Sequence, residues 1–286
     1  MFNITIKVSA GDIVFYSEAQ EDRIRSLLNN YAKDIEIEIV KEIDSTNDEL
    51  KRQAIDGQGE IKLLIAESQT KGKGTKGRSF FSPADTGCYM SFLLRPSYSA
   101  EECSLLTTAA ATATALAIEM VTGNLQGTTG KKAQIKWVND IYIERKKVAG
   151  ILTEASFRKD GSGLEYVIIG IGVNINPPND GFPAEIENIA TSITTEEPLY
   201  IKNALIAQIA NGVVFFYKYL QKEPRLFMKA YKSRLFFLGE EITVTQGNET
   251  YQATAVDVDS MCHLIVRTAD GEEKTLHSGE ISIKLN

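Results

Sequence analysis

Histidine is nearly absent from this sequence. Its 286 residues include two, His263 and His277, both near the C-terminus. Chemistry in the first 262 residues must therefore use lysine, arginine, carboxylates, amides or backbone N–H groups. Cysteine is scarce too, because the three cysteines, Cys88, Cys103 and Cys262, lie far apart. This number and spacing argue against a disulfide framework or a zinc ribbon, and favour reduced thiols in a cytoplasmic protein.

Basic residues are fewer than acidic ones, with 31 lysines and arginines against 38 aspartates and glutamates. The formal net charge is −7, whereas proteins that bind duplex DNA or RNA usually carry a basic excess that neutralises phosphates. The N-terminus lacks the basic start and continuous apolar core of a signal peptide. No apolar run reaches the length needed to span a membrane. We therefore expect a cytoplasmic protein with neither a nucleic-acid nor a membrane partner.

Periodic apolar residues predict both strands and helices. Strands are predicted over Phe2–Val8, with a hairpin partner at Ile13–Tyr16, and over Ile35–Ile43, Ile61–Glu67 and Cys88–Leu94. Helices are predicted from Ser17 or Glu18 to Leu28, after a cap at Asp44 or Ser45, and over Ser99–Val121, Ile201–Tyr219 and Glu223–Ser233. The alanine-rich helix Ser99–Val121 is apolar on most sides, so we expect it to be buried.

Two further regions complete an α+β pattern. Short strands separated by turns run from Gln134 to Asn176 and indicate an antiparallel meander. After Phe236, short strands with turns at Gln246–Asn248 and Ala269–Gly271 indicate a small barrel. We therefore expect an N-terminal hairpin-plus-helix extension (1–40), a main domain (41–235) and a C-terminal barrel (236–286).

The segment Gln69–Arg78 concentrates four positive charges and three glycines within ten residues. Glycine lets backbone N–H groups approach an anion, and lysine and arginine supply the countercharge, so the segment suits a polyphosphate or an adenylate. An exposed hairpin with solvated lysines would give the same pattern. Gly72 and Gly77 have P-loop spacing. However, a P-loop requires lysine in place of Arg78 and then a helix, whereas Phe80–Pro83 follow here, so we reject that interpretation.

Three motifs in the meander carry polar groups. Lys136–Asp140 places a cation, the chain's one tryptophan, an amide and a carboxylate around a turn, although a packed tryptophan beside an Asn-Asp turn is the commoner cause of such a motif on its own. Lys147–Glu154 reads as a strand in which, if it is regular, Lys147 shares a face with Ala149, Ile151 and Thr153. In Ile169–Asn176 every second residue is glycine or asparagine, which indicates a strand floor that a ligand approaches closely.

In this order the motifs resemble those of the biotin protein ligase family. The family's Asp-Ser-Thr-Asn is similar to residues 44–47, its arginine-glycine loop to 69–78, its Lys-Trp-Pro-Asn-Asp to 136–140, its Lys-x-x-Gly-Ile-Leu-x-Glu to 147–154, and its Gly-x-Gly-x-Asn-x-Asn to 170–176. The C-terminal barrel matches as well, including Gly279–Ser282. The resemblance covers roughly residues 36–286. Each motif alone is weak, but five in order with suitable spacing are specific.

The resemblance implies both a fold and a reaction. The fold is a mixed, mainly antiparallel sheet flanked by helices, similar to that of class II aminoacyl-tRNA synthetases, followed by an SH3-like barrel. In the reaction, the biotin carboxylate attacks the α-phosphate of ATP and gives biotinyl-5′-AMP and pyrophosphate, with Mg²⁺ as the metal cofactor. The amine of an acceptor lysine in a biotin carboxyl carrier protein then attacks the mixed anhydride.

The resemblance also implies roles for individual residues. The expected catalytic residues are Lys147, Arg78, Asn139 and Asp140, with Asp140 also the expected Mg²⁺ ligand. The expected biotin site consists of Ser45, Thr46, Asn47, Gln69, Gly74, Gly77, Arg78, Phe80, Lys147, Gly150, Leu152 and Gly170. The expected ATP and adenylate site consists of Lys73, Thr75, Lys76, Arg78, Lys136, Trp137, Asn139, Asn174 and Lys284. Lys147 offsets developing negative charge, and the 69–78 loop closes over the adenylate and excludes water.

The sequence departs from the family pattern in three places. Lys73 and Thr75 stand where the family often has arginines, and loss of charge at Thr75 is expected to loosen retention of the adenylate. Val138 replaces the usual proline. Residues 1–40 are too few for the winged helix-turn-helix of some members, and their role is left open between an added sheet edge and a homodimer contact. The alternatives are a lipoate-type ligase, whose Arg-Arg-x-Ser/Thr-Gly-Gly-Gly signature is absent, and a biotin-responsive regulatory protein.

Overall fold

The computed structural model describes residues 18–55, 61–97, 99–123, 132–160, 163–194, 200–220, 222–223, 225–277 and 280–283. The predicted strand Phe2–Val8, its partner Ile13–Tyr16 and the nucleotide candidate Lys284 lie outside these residues.

A seven-stranded sheet organises the larger part of the described chain, with the order β1-β2-β3-β7-β6-β5-β4. Its strands are β1 (Glu36–Ile43), β2 (Ile61–Gln69), β3 (Gly87–Leu94), β4 (Gln134–Lys136), β5 (Asp140–Ile143), β6 (Lys146–Phe157) and β7 (Leu164–Asn174). Strands β1 and β2 run parallel, and every other neighbouring pair is antiparallel. The strands predicted within the described residues and the antiparallel meander are confirmed.

Five helices flank this sheet in the described part of the chain. They are α1 (Glu21–Ser26), α2 (Thr46–Ile55), α3 (Ala100–Gly123), α4 (Lys202–Tyr219) and α5 (Met228–Lys232). On one face, Leu50 and Ala54 of α2 pack against Leu64, Leu93 and Ile168 of the sheet. The main core lies on the other face, where alternate residues of the same strands meet α3 and α4. The α+β class with a mixed, mainly antiparallel sheet is confirmed.

Helix α3 is the central helix of the main core. Its Ala113 lies so close to Gly212 of α4 that a Cβ on the glycine would be 2.8 Å from the alanine Cβ. The segment Leu105–Gly123 is long and apolar enough to cross a membrane by length and composition, so the expectation that no run reaches that length is wrong. However, 78% of this stretch is buried inside the protein, as expected for a core helix.

Two helices are shorter than predicted. Helix α1 begins at Glu21 because the backbone at Glu18–Gln20 bonds the Asn203 side chain: Gln20 N–H donates to Oδ1 (2.7 Å), and Nδ2 donates to the Glu18 carbonyl (3.1 Å). Helix α5 begins at Met228, because the preceding turns carry hydrogen bonds that span three residues, such as Leu226 N–H to the Glu223 carbonyl (2.9 Å). Such bonds form tight turns and not α-helix.

The C-terminal part folds into a five-stranded antiparallel sheet with the order β11-β10-β9-β8-β12. Its strands are β8 (Glu241–Gln246), β9 (Glu249–Val258), β10 (Leu264–Thr268), β11 (Glu273–Leu276) and β12 (Glu280–Ile283). This arrangement is consistent with the expected small SH3-like barrel. The expected boundary between residues 235 and 236 falls between α5 and β8, whereas the one between residues 40 and 41 falls within β1.

A buried ion pair fixes the chain that enters the first helix. Lys202 Nζ lies 2.6 Å from Glu67 Oε2, and the two side chains are 6% and 12% exposed. The other carboxylate oxygen of Glu67 accepts a hydrogen bond from Ala19 N–H at 2.6 Å. One side chain on β2 therefore holds both the start of α4 and the N-terminal segment.

Removing the cation of this pair is predicted to destabilise the fold strongly. Lys202→Met should lower the free energy of unfolding by about 3–5 kcal/mol, because the buried Glu67 carboxylate loses its partner. Denaturant unfolding measures the change. The matched control is Arg267→Met, which breaks a pair that is 53% and 52% exposed and should change stability by less than about 1 kcal/mol. Equal effects of the two substitutions would contradict a special role for the buried pair.

Candidate functional site

Three neighbouring cavities share lining residues, and the first of them lies on the face of the seven-stranded sheet that carries α2. We name them the inner cavity (about 40 Å³), the histidine cavity (about 440 Å³) and the aromatic cavity (about 280 Å³). Thr75 of the glycine-lysine loop and Asp140 at the start of β5 line all three. Lys147 lines the inner and aromatic cavities. Loop and lysine therefore face one another across open space, as the sequence predicts.

The floor of the inner cavity is made of glycines. A Cβ on Gly170 would lie 2.2 Å from Asn47 Oδ1, and one on Gly172 would lie 2.5 Å from the Phe80 ring. A Cβ on Gly150 would lie 3.0 Å from the Lys147 side chain. Only glycine allows side chains from α2 and the loop to lie directly on strands β6 and β7. In this structure the protein's own groups approach the glycine strand closely, and the approach of a ligand to it stays a prediction.

The N-terminus of α2 supplies a buried set of polar groups to this cavity. Ser45, Thr46 and Asn47 are 1%, 3% and 4% exposed. Thr46 donates from its backbone N–H (2.9 Å) and its hydroxyl (3.1 Å) to Gln69 Oε1. Ser91 Oγ on β3 lies 2.7 Å from Thr46 Oγ1 and 2.6 Å from Asn47 Oδ1. These bonds fix the orientation of four side chains around the cavity wall.

This network continues to the glycine-lysine loop. Asn47 Nδ2 donates to Glu154 Oε2 (2.7 Å), and Glu154 Oε1 pairs with Lys51 Nζ (2.5 Å). Lys51 lies 3.7 Å from Asp48 Oδ1, which also pairs with Lys73 of the loop. Lys73, expected to hold the adenylate, is therefore held against α2. Helix α2 couples the cavity wall to the loop.

A β-bulge positions Lys147. The pairing of β5 with β6 shifts between Ile141, which faces Ala149, and Tyr142, which faces Lys147. The strand is therefore not regular at Val148. The predicted shared face of Lys147 with Ala149, Ile151 and Thr153 is wrong, because the extra residue turns Lys147 onto the face of Gly150. There its Nζ lies 2.7 Å from Asp140 Oδ1.

The glycine-lysine loop folds as a short hairpin over the cavities. Gly74 N–H donates to the Arg78 carbonyl (2.7 Å), and Phe80 N–H donates to the Gly72 carbonyl (2.8 Å). Its tip, Thr75–Gly77, contains two residues with positive φ, Lys76 (56°) and Gly77 (74°). The loop ends at Phe80, whose ring lies over Gly172 and meets Tyr89 edge-on at 6.4 Å. The loop is therefore a hairpin that also lines the cavities, and its binding of a polyphosphate or an adenylate stays a prediction.

The histidine cavity lies between the main sheet and the C-terminal sheet. Lys76 and Arg78 of the loop and Lys136 of β4 line it together with His263 and His277. The Trp137 indole is 7% exposed and donates its N–H to the Cys262 carbonyl at 2.9 Å. Tyr231 O–H donates to the Val138 carbonyl at 3.0 Å; the Trp137–Val138 peptide bond is cis. Trp137, a nucleotide candidate, thus tethers the two sheets.

The aromatic cavity is lined largely by rings and aliphatic side chains. Phe81 and Phe182 meet edge-on at 6.4 Å on its wall. Ile189, 59% exposed, lies at its mouth. Asn174, a nucleotide candidate at the end of β7, also lines it, and its Nδ2 donates to the Thr191 carbonyl at 3.1 Å. Burial, with a smaller contribution from Asp140, raises the pKa of Tyr142 on the same wall to about 12, so its hydroxyl stays protonated.

The structure brings nearly all the predicted site residues together. Gln69, Gly74, Leu152 and Gly170 line the inner cavity, and Asn139 lines both the inner and histidine cavities. Asn139 Nδ2 donates to the Ile151 carbonyl at 2.5 Å. Arg78, expected at the biotin site, lines the other two cavities. Gly77 lines none of the three.

Sequence reasoning missed several lining residues. Phe182, Ile186 and Ile189 belong to a segment without a motif, and only their apolar character beside the asparagine strand could have indicated them. Thr107 and Thr108 of α3 line the histidine cavity because tertiary packing brings them beside it, which no local sequence pattern indicates. The sequence contains one indication of the contact between His263 and His277, because the chain has no other histidine. The contact itself depends on the register of β10 and β11, which the sequence does not show.

Comparison with known proteins identifies families that two parts of the chain match. Residues 39–174 match the Biotin/lipoate A/B protein ligase family, and residues 237–284 match the Biotin protein ligase C terminal domain. The bifunctional ligase/repressor BirA of Bacillus spizizenii is 31% identical over 245 residues, which are 84% of this chain and 72% of that protein. The biotin–[acetyl-CoA-carboxylase] ligase of Mycobacterium tuberculosis is 24% identical over 86% of this chain and 88% of that protein.

A solved structure is similar over most of its length. Biotin protein ligase from Aquifex aeolicus, in complex with biotin and ATP, has a TM-score of 0.68 at 27% identity and covers 88% of this chain and 99% of its own. Together with the two family matches and the Bacillus relative, this likeness shows that the chain belongs to the biotin protein ligase family.

Proposed function

We propose that this protein activates biotin with ATP as biotinyl-5′-AMP and transfers the biotinyl group to a lysine of a carrier protein. The observation that carries the proposal is the junction at Lys147. One cation lies where the inner cavity meets the aromatic cavity, with Asp140 at 2.7 Å and the loop opposite. This is where an acyl group and a phosphate must meet for the first reaction.

The inner cavity is the proposed biotin site. Its buried hydroxyl groups at Ser45 and Thr46 and its partly buried amide at Gln69 suit the ureido ring, and the glycine floor suits a flat apolar ring system. Its present volume of about 40 Å³ holds about one water, because Phe80 lies on Gly172. Biotin binding therefore requires the Phe80 ring to move, which a loop of this glycine content permits.

The aromatic cavity is the proposed adenosine site. Its rings and aliphatic side chains suit a planar base, and the Asn174 amide can form hydrogen bonds with the edge of that base. Arg78 and Lys136 line both this cavity and the histidine cavity, so their positive charges suit phosphates that run from one to the other. The α-phosphate then lies beside Lys147 and the biotin carboxylate.

Lys147 and Asp140 have complementary roles in the first step. The lysine stabilises the charge that develops on the pentavalent phosphorus and then on the mixed anhydride. Asp140 balances the lysine until anions arrive, and its carboxylate is a suitable oxygen ligand for Mg²⁺ together with nucleotide phosphates. A bound Mg²⁺ would neutralise phosphate charge. One protein carboxylate fits this use, because Mg²⁺ in such sites keeps phosphate and water ligands.

Substitution of Lys147 tests the proposal directly. Lys147→Ala should slow biotin-dependent ATP–pyrophosphate exchange by about 10²–10³-fold, because one preorganised donor to the transition state is lost. The matched control is Lys146→Ala, since Lys146 is exposed and bonds only the Glu187 carbonyl, at 3.2 Å, in the described contacts. Exchange that persists in Lys147→Ala, or that requires lipoate in place of biotin, would overturn the proposal.

Filling the glycine floor is predicted to weaken biotin binding. In Gly172→Ala the new methyl group meets the Phe80 ring, which can shift, so folding should change little while the site narrows. We expect the KM for biotin to rise by about 5- to 150-fold, in line with an overpacking penalty of about 1–3 kcal/mol. Gly123→Ala is the control, because a Cβ there meets nothing within 4 Å. An unchanged KM would place biotin elsewhere.

A cation at the junction is predicted to retain the intermediate longer. Thr75 lines all three cavities, so Thr75→Arg brings a guanidinium to the adenylate phosphate. Release of biotinyl-5′-AMP, followed as free adenylate in the absence of acceptor, should slow by about 10- to 100-fold, since a charge-assisted hydrogen bond contributes about 1.5–3 kcal/mol. Thr75→Ser serves as the neutral comparison and should behave as the natural protein does.

A further inference from the structure

The two histidines contact each other at the rim of the histidine cavity. His263 ends the turn between β9 and β10, and His277 directly follows β11. Leu264 pairs with Leu276, so the residues beside them come together. The ring centroids lie 4.1 Å apart, and His263 Nε2 lies 3.3 Å from His277 Nδ1.

Asp259 anchors this pair. Its Oδ2 lies 2.9 Å from His263 Nδ1, and its Oδ1 accepts backbone hydrogen bonds from Met261 (2.8 Å) and His263 (2.9 Å). Burial acts to raise the pKa of Asp259, and the hydrogen bonds act to lower it. The hydrogen bonds together have the larger effect, so the pKa lies below the usual value. The carboxylate is charged and fixed in place at neutral pH.

When both rings are neutral, these contacts assign one proton to a nitrogen of each ring. The Asp259 carboxylate accepts, so His263 Nδ1 donates and its Nε2 becomes an acceptor. His277 Nδ1 must then donate to His263 Nε2. This leaves a lone pair on His277 Nε2, the outermost atom of the series, on a side chain exposed at the cavity rim.

The C-terminal sheet holds this lone pair in a fixed relation to the reaction junction. The turn that carries His263 is tied to the main domain by the Trp137 N–H bond to the Cys262 carbonyl. One cavity joins both histidines to Thr75, Asn139 and Asp140. A side chain that enters past His277 therefore reaches the point where the inner and aromatic cavities meet.

The second reaction needs a base at such a position. A lysine side chain has a pKa of about 10.4, so at neutral pH it arrives as an ammonium ion, which cannot attack. Under the proposed function, on which this inference rests, biotin fills the inner cavity and adenosine the aromatic cavity. Among the cavities described, the histidine cavity is the remaining approach once pyrophosphate has left it.

We propose that the acceptor lysine enters through the histidine cavity and that His277 Nε2 takes a proton from its ammonium group. The freed amine attacks the biotinyl carbonyl carbon, so a C–N bond forms. The C–O bond to phosphate breaks, and AMP leaves with the electron pair. The second N–H proton passes to the released phosphate, and His277 returns its proton to solvent. His263 and Asp259 are positioning residues that hold the lone pair outward.

The surrounding charges act on the entering lysine. The charged groups that line the same cavity are Lys76 and Arg78 from the loop, Lys136 from β4 and Asp140 from β5, while Asp259 faces His263 from the turn. Three of the four groups in the cavity are positive. Such a cavity disfavours an ammonium ion, and hence favours an acceptor amine that has given up its proton at the rim.

The test separates the two half-reactions in the full-length protein. For His277→Gln, biotin-dependent ATP–pyrophosphate exchange should stay within about twofold of the natural protein. Transfer from preformed biotinyl-5′-AMP to a biotin carboxyl carrier domain should fall at least about tenfold near neutral pH, because general-base catalysis typically contributes about 10²–10⁴-fold. The deficit should shrink toward about pH 10, where lysine loses its proton unaided.

Two comparisons make the outcome specific. Hydroxylamine is already unprotonated at neutral pH, so its reaction with the bound adenylate should be as fast in His277→Gln as in the natural protein. Asp259→Asn should give a weaker form of the same pH-dependent transfer defect. Lys274→Gln, an exposed change on β11, should affect neither half-reaction.

The possible failures can be told apart. Unchanged transfer in His277→Gln would overturn the inference. A matching fall in exchange, with a higher KM for pyrophosphate, would instead make the histidines phosphate ligands and would also overturn it. If the natural protein itself catalysed no biotin-dependent exchange, the proposed function would fail first, and that result is distinct from both.

Discussion

The placement of Lys147 beside Asp140 is the interaction on which the rest of the site depends. The bulge in β6 turns this lysine onto the glycine face of the sheet, and the carboxylate at 2.7 Å keeps it there. The inner cavity, the aromatic cavity and the loop are all arranged around that cation. In a regular strand, the Lys147 side chain would lie on the opposite face of the sheet, packed toward α3 and α4, where no anion could reach it.

Much of the fold follows from local sequence patterns. The meander, the buried α3 and the C-terminal sheet were predictable because apolar periodicity and turn residues specify them locally. The start of α1 was not, because Asn203, far along the chain, bonds the backbone that local propensity would have made helical. The face of the sheet on which Lys147 lies was not predictable either. The bulge depends on the pairing of β6 with β5, and the residues of β6 alone do not indicate it.

The candidate site divides in the same way. Glycine and asparagine at alternate positions indicated the floor, since glycines on one face of a strand mark the close approach of a ligand or of neighbouring groups. The role of Trp137 as a tether could not be predicted, because the Cys262 carbonyl that accepts its N–H lies far along the chain, in the turn between β9 and β10. The chain of bonds from Thr46 through Asn47 and Glu154 to Lys51 needs three elements to be placed in space first.

The position of Phe80 has a thermodynamic consequence. Its ring lies on Gly172, so under the proposed function a bicyclic substrate that enters the inner cavity exchanges places with a phenyl group and displaces very little solvent. Association by exchange of one apolar surface for another releases few ordered waters, and the heat-capacity change then reflects mainly where the phenyl group repacks. Calorimetric signatures at this protein would therefore report on the loop as much as on the substrate.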